Sequence, residues 1–460
     1  MSTMTVKSGL SIKAIIAWVV TVLTPVAILC IPTNETFTAD IRTFFAITAC
    51  AIVMFAFDEI NSTIPALALP LAYSLTQLVD FGTAMSPWTQ PVVWIVAGCF
   101  LISGIMERVG ILSRVAYWCI VHTGGSYRGI ILGFFLAGLI LSLLVPVAWV
   151  AMVLLAVCKG VCEALKIERT KASCGIYMSA LLGYTMSGLF IYTPSQLAIA
   201  LGAAGLQTSY LDFLIQNIPG IVPFVLMGLL LPVLLKPEKE IQGLAFFRGQ
   251  YEQMGKMTGD EKKCLIVSIL LIIYLFTANF HGLDAVYGFL IAPILLYLPG
   301  VRVGRKEDFG SINMGTLIFV ASCMGIGTVA NVVGAGQYIS DMITPVLSGT
   351  GDYGFTLLGY VFGFLINFIL TPLAAMTTMS APLAQIATDM GVNPYPVIYS
   401  LVIGLDNLLL PYESALHLAA FSFGGMYLKD FAKVMGFKAV LTLVCWAALM
   451  IPYWMLIGLL

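Results

Sequence analysis

Apolar runs follow one another along nearly the whole chain, and this constrains the fold more than any single motif. In hydrocarbon no water is available to the backbone, so a spanning segment must satisfy its own N–H and C=O groups, which a helix does internally. Runs at 14–31, 43–57, 63–79, 91–106, 129–161, 174–204 and 216–235 are followed by others at 265–280, 283–298, 312–330, 355–379, 397–423 and 434–457. Of the 460 residues, 60% are hydrophobic and 10% charged, where a soluble domain carries about 25% charged residues. The expected fold class is an all-α polytopic membrane protein. The formal net charge of −1 gives no basic field for nucleic acid. The first run lies behind Lys7 and Lys13 and is longer than a signal-peptide core, so it reads as a retained span.

A polar stretch at 236–263 separates a first half, 1–235, from a second, 264–460. It holds Lys236, Lys239, Arg248, Lys256, Lys262 and Lys263, which marks it as a cytoplasmic loop by the positive-inside rule. Within the halves, 91–106 is short and has Gly98 at its middle, so a re-entrant hairpin and a plain crossing are both open there. The run 129–161 is too long for one helix and contains Pro146, so it is expected to be a broken helix, as are 174–204, 355–379, which contains Pro372, and 397–423.

Two polar interruptions about one half-chain apart match each other: Thr193-Pro194-Ser195-Gln196 and Ser414-Ala415-Leu416-His417. Each places a hydroxyl where a helix can begin and a long polar residue three positions later, an N-capping pattern. Pro194 suits a first helical position. Other matches keep the same order. Val96-Ala97-Gly98-Cys99 answers to Val320-Ala321-Ser322-Cys323, with Gly110 and Gly334 at equal distances beyond. Leu132-Gly133 precedes Pro146 as Leu358-Gly359 precedes Pro372, and Gly183 and Gly404 stand ahead of the two interruptions. The chain is an internal duplication, and an odd number of crossings between the copies would invert one against the other.

Paired broken helices aim N-terminal N–H groups at a common centre, which suits an anion without any free cation. The breaks around Pro146, Pro194, Pro372 and Pro411 contain no Lys or Arg. Asp406, Glu413 and His417 are ionisable residues inside an apolar run and are candidates for ion coupling. Glu413 is the first choice as a proton carrier, with His417 as its partner if the turn is regular. Asp58 and Glu59 read as an interfacial turn. The ten cysteines form no CxxC pair, and with three histidines and no HExxH or nucleophile elbow the sequence offers neither a metal or cofactor site nor an enzyme's catalytic set.

Glu59, followed by Ile64-Pro65-Ala66-Leu67-Ala68-Leu69-Pro70, then Ala97-Gly98-Cys99-Phe100-Leu101 and Glu107-Arg108-Val109-Gly110, resembles the divalent anion/sodium symporter family of the ion transporter superfamily. The resemblance implies a homodimer with a scaffold and a moving transport domain, two re-entrant hairpins at 91–106 and 312–330, and elevator-type alternating access. The family's Thr-Pro-Pro-Asn motif falls on Thr193–Gln196, and its second copy on Ser414–His417. Its two Ser-Asn-Thr motifs fall on Pro146-Val147-Ala148 and on Leu370-Thr371-Pro372, where neither Asn is kept; Ser142 and Asn367 are the nearby polar residues. Few side-chain oxygens then remain for sodium.

The sequence thus predicts a secondary active transporter for a small organic anion, a di- or tricarboxylate, in a prokaryotic inner membrane among its lipids. Its substrate-binding residues would be Pro146, Val147, Ala148, Thr193, Pro194, Ser195, Gln196, Asn367, Thr371, Pro372, Tyr412, Ser414 and His417. Glu413, Asp406 and Ser142 would serve ion coupling, to protons or a counter-anion rather than to sodium. An exporter of an inorganic or metalloid oxyanion and a passive anion channel are the alternatives.

Overall fold

The computed structural model describes residues 12–57, 61, 63–144, 150–347 and 349–460. Among them the regular structure is helical, apart from one isolated bridge between Ser126 and Gln242. Among the described residues four helices are long and apolar enough to cross a bilayer alone, Pro91–Val109, Tyr127–Leu144, Met314–Val333 and Leu428–Leu456, and a fifth arises if the bent pair Tyr210–Gln216 and Ile218–Leu234 is one span.

One face of the molecule collects the basic residues and is laced by their bonds. Arg108 donates to Asp308 at 2.6 and 2.8 Å and to the Val303 carbonyl at 2.8 Å. Arg114 holds Glu261 at 2.7 Å, and Lys263 reaches the Val301 carbonyl at 2.7 Å. Gly243 N–H bonds Gly125 O at 2.8 Å, Tyr127 bonds Leu235 O at 2.7 Å, and Lys433 bonds Leu234 O at 3.2 Å. Arg169 caps the Met426 carbonyl. Arg42 lies away from this face, bonded to Ile31 O near Phe37 and Tyr338.

Pro91–Val109 ends at this basic face, at Arg108, whereas Met314–Val333 begins beside it, after Asp308. Farther along, Met324 and Val92 approach the same residue, Gly202, so the middle of the second helix passes the start of the first. The two helices therefore run in opposite directions. Each is closed by a left-handed glycine, Gly110 at φ 92° and Gly334 at φ 80°, the conformation that glycine adopts without a Cβ penalty. These two matched helices, each with its closing glycine, are inverted relative to one another.

Neither 91–106 nor 312–330 is a hairpin. Gly98 breaks nothing: a Cβ there would lie 2.3 Å from the Phe289 carbonyl oxygen, so the glycine serves a close helix contact rather than a turn. The hairpins lie instead in the runs expected to be broken helices. Tyr127–Leu144 leaves the basic face beside Leu235, and Val150–Ala164 returns to it, where Leu165 packs over Gly243. In the second half the start of Gly351–Ile366 and the end of Pro372–Asp389 share a cluster of Phe355, Ile386 and Ala387. That hairpin enters from the opposite face.

Each hairpin clasps a broken helix through a pair of glycines. A Cβ on Gly138 would stand 2.3 Å from the Gly183 carbonyl carbon, and one on Gly404 would stand 2.2 Å from the Tyr360 carbonyl oxygen, with Gly363 against Leu401 O. Apolar burial drives little association within lipid, so close backbone approach through small residues has to supply the packing energy.

Candidate functional site

The first broken helix is Lys171–Thr185, extended by a tight turn at Met186–Leu189, and it resumes with a wide turn at Pro194–Ala198 and Ile199–Ala203. The second is Pro394–Leu405, interrupted through Pro411–Glu413, and it resumes at Ala415–Ser422. The two are antiparallel. The first starts near Met426 on the basic face, and the second starts where Tyr395 bonds Gln207 O at 2.6 Å, beyond the first one's end.

Thr193 and Ser414 both occupy the residue before a resumed helix, with extended backbones at φ −109° and −144°. Neither hydroxyl caps its own helix, which departs from the expected capping pattern. The reason at Thr193 is local. Its carbonyl already accepts from Gln196 and Leu197 N–H at 3.1 and 2.8 Å, so the Gln196 amide that a capping hydroxyl would take is in use. Pro194 stands first in that turn, and Gln196 is half-buried. Thr371 behaves differently, accepting from Ala374 N–H at 3.4 Å ahead of Pro372.

Asn367, at the tip of the second hairpin, donates to the Leu405 carbonyl at 2.8 Å, so this tip sits on the second break, and its Oδ1 is buried with no partner. Ser142 lies near the first tip and donates to Leu139 O at 2.8 Å. With Ile191 and Tyr192 it borders a small enclosed space, which places that shoulder at the first break. Pro146, Val147 and Ala148 lie outside the described residues, as do Asp58 and Glu59. Ser195 and Tyr412 are placed by their backbones, in the Pro194–Ala198 and Pro411–Glu413 turns.

Glu413 accepts from the Leu409 and Leu410 amides at 3.2 and 2.8 Å and so closes its own turn rather than pairing with His417. His417 is buried against the edge of Phe431 at 5.9 Å, with Nδ1 unpartnered. The expected pair fails because Glu413 belongs to a tight turn and His417 to the helix after it, so the i, i+4 spacing does not describe one helical face.

Sequence reasoning missed the strongest interaction here. Lys438, 1% exposed, bonds both the carboxylate and the carbonyl of Asp406, at 2.5 and 2.6 Å. Beside it Asn407 donates to Tyr360 at 2.9 Å and accepts from Thr442 at 3.0 Å. A lysine inside the apolar run 434–457 was the available signal.

A cavity of about 810 Å³ opens on the face opposite the basic one, among Leu206–Tyr210, the Ala278–Ala285 link and Tyr395, and it reaches Tyr192 and Ala198 at the first break. Among the described residues no Lys or Arg lines it. A second, almost wholly apolar cavity of about 770 Å³ separates Ala39–Phe57 from the second hairpin.

A family model described as citrate transporter matches residues 52–404. The chain belongs to the citrate transporter family. This family member is 24% identical over 410 residues to the chloroplastic dicarboxylate transporter 1 of Spinacia oleracea, covering 84% of this chain and 71% of that protein. It is 23% identical over 388 residues to a membrane protein of Cupriavidus necator, covering 78% of this chain and 75% of that one. In structure it is similar to the YdaH transporter of Alcanivorax borkumensis, with TM-score 0.56 and 14% identity over 92% of this chain and 99% of that one. It is also similar to Neisseria gonorrhoeae MtrF, of a class of antimetabolite efflux pumps, with TM-score 0.59 and 13% identity over 96% and 95%. At such identities the two structures speak for the fold alone. The family makes this protein an integral membrane transporter of organic anions, not an enzyme.

Proposed function

We propose that this citrate-family transporter carries a small di- or tricarboxylate by elevator-type alternating access, as a homodimer, coupled to protons or to anion exchange. One observation carries the reading. Two antiparallel broken helices resume at Thr193 and Ser414 with hydroxyls not spent on capping, so oxygens and helix N-termini remain for carboxylates where no free cation stands. Hairpin tips with Ser142 and Asn367 border the same breaks. The remaining members of the set are Pro146–Ala148, Pro194–Gln196, Thr371, Pro372, Tyr412 and His417. Dicarboxylate transport by the spinach relative supports the substrate class. Because basic loops favour the cytoplasm, the basic face is the cytoplasmic one in a prokaryotic inner membrane. The open cavity then faces outward.

The test is uptake of labelled citrate or a labelled four-carbon dicarboxylate into proteoliposomes under a proton gradient, a sodium gradient, or unlabelled internal anion alone. Accumulation driven by protons or by internal anion is expected. Uptake only with sodium would overturn the coupling, unsaturable uptake without counterflow would mean a channel, and no uptake would turn attention to an exporter of inorganic oxyanions. If Glu413 carries the proton, Glu413→Gln should lose pH-driven accumulation while exchange persists.

A further inference from the structure

We infer that the Lys438 ammonium is a tethered cation that fills, at the second break, a position a dissolved monovalent cation would otherwise occupy. The inference rests on reading that break as part of the transport site.

The Pro394–Leu405 helix ends in the interior, and its last carbonyls form the negative end of its dipole. Side chains from three positions donate to this end. Ile403 O accepts from Asn407 at 2.7 Å, Leu405 O from Asn367 at 2.8 Å, and Asp406 O from Lys438 at 2.6 Å. The Asp406 carboxylate adds a full negative charge at the same point, 2.5 Å from Nζ. A carboxylate beside a main-chain carbonyl at a helix C-terminus is a hard, oxygen-only set of the kind that binds alkali cations. Here the cation arrives on a side chain. Burying a lysine in an apolar run is costly unless its charge is matched, and Asp406 matches it one for one.

The anchor is built to hold one position. One turn beyond Lys438, Thr442 bonds Asn407 at 3.0 Å and Tyr360 at 2.7 Å, so the Leu428–Cys445 helix grips the break at two successive turns. Asn367 ties the hairpin tip to the same helix end, and the ammonium therefore neutralises the junction where the second hairpin meets its broken helix. The first half differs: Ile221–Leu234, which packs beside the first broken helix, has no ionisable residue at all. Among the described residues no ion pair like Lys438–Asp406 stands at the first break.

Lys438→Ala removes the ammonium and leaves the oxygens. Purified wild type should show the same thermal midpoint in sodium chloride and in choline chloride of equal ionic strength, whereas Lys438→Ala should melt at a higher temperature in sodium. Its uptake, low in choline, should rise about tenfold as sodium approaches saturation. Lys438→Gln, which keeps more of the side-chain volume, is read in the same assays should the alanine variant not fold. Asp406→Asn combined with Lys438→Met, which removes both charges, should ignore sodium. A wild type that sodium stabilises as much as it does the variants, or a folded Lys438 variant indifferent to sodium, overturns the inference. Thermal response needs no substrate, so sodium-specific stabilisation without carboxylate uptake would spare this inference and defeat the substrate reading. Carboxylate uptake without any sodium response would do the reverse.

Discussion

At the scale of single residues, charges in this molecule are placed where a partner answers them. Asp308 is the clearest case outside the membrane-spanning helices. Burial pushes its carboxyl up, but the Arg108 hydrogen bond, the Arg305 amide and both arginine charges outweigh burial and leave it below its ordinary value. A pKa lower in the folded than in the unfolded chain stabilises the fold above the ordinary carboxylate value of about 3.9. That contribution disappears as pH falls through the lower, folded value. Asp308→Asn should therefore cost about 1–3 kcal/mol at neutral pH, scaled for an Arg108 side chain that is 26% exposed. In melting curves the gap from wild type should narrow on acidification below about pH 4; a constant gap would mean that the loss is steric. Such pairs were not legible in the sequence, because Arg108 and Asp308, like Asp406 and Lys438, are partners only once distant segments are brought together. The apolar runs and the hydroxyls at the two breaks were legible, since spacing alone places a helix start.

At the scale of elements, glycine explains both what the sequence revealed and what it left open. Gly183 and Gly404, matched in the sequence, are both points where a broken helix crosses a hairpin arm, at Phe134–Phe135 and at Tyr360. Gly98 left a turn and a crossing equally open, because a contact glycine and a turn glycine are the same letter and only the neighbouring Phe289 carbonyl distinguishes them. Proline misled in a related way. Pro372 marks a hairpin tip rather than a kink, since the chain after it returns to the face it came from. The crossings make a sharp prediction. Gly404→Val would drive a branched side chain into the Tyr360 carbonyl, 2.2 Å from where its Cβ must sit, and should lower stability by 3 kcal/mol or more, about the upper end for overpacking. Gly436→Ala, in a helix with open space around the new methyl, should gain about 0.5–1 kcal/mol. Thermal midpoints of the two purified variants would then move in opposite directions. Equal shifts would show that helical propensity, not close approach, governs these sites.

At the scale of the whole molecule, the cavity opposite the basic face marks a seam. On one side are the resumed first helix and Tyr210–Gln216, which follows it; on the other is the Ala278–His281 link at the end of Gly259–Phe276. Asn279 donates to Asp212 across this seam at 3.0 Å, and Asp212 is itself bonded by Ser209 at 2.7 Å. If the broken helices and hairpins travel as one body past the remaining helices, this contact must part in every cycle; if the site merely opens and closes by local gating, it need not. Asp212→Cys with Asn279→Cys, in a background where the exposed Cys30 and half-buried Cys50 are replaced by serine, therefore separates the two. A short thiol-to-thiol cross-linker should abolish uptake in the double variant, leave either single variant active, and lose its effect when the cross-linker's disulfide is reduced. Binding measured on the cross-linked protein should survive, because the cavity still opens opposite the basic face and only the passage is blocked. Uptake that continues in fully cross-linked protein would mean that Tyr210–Gln216 stays with the Ala278–His281 link and that movement, if any, occurs deeper, between the hairpin tips and their own broken helices.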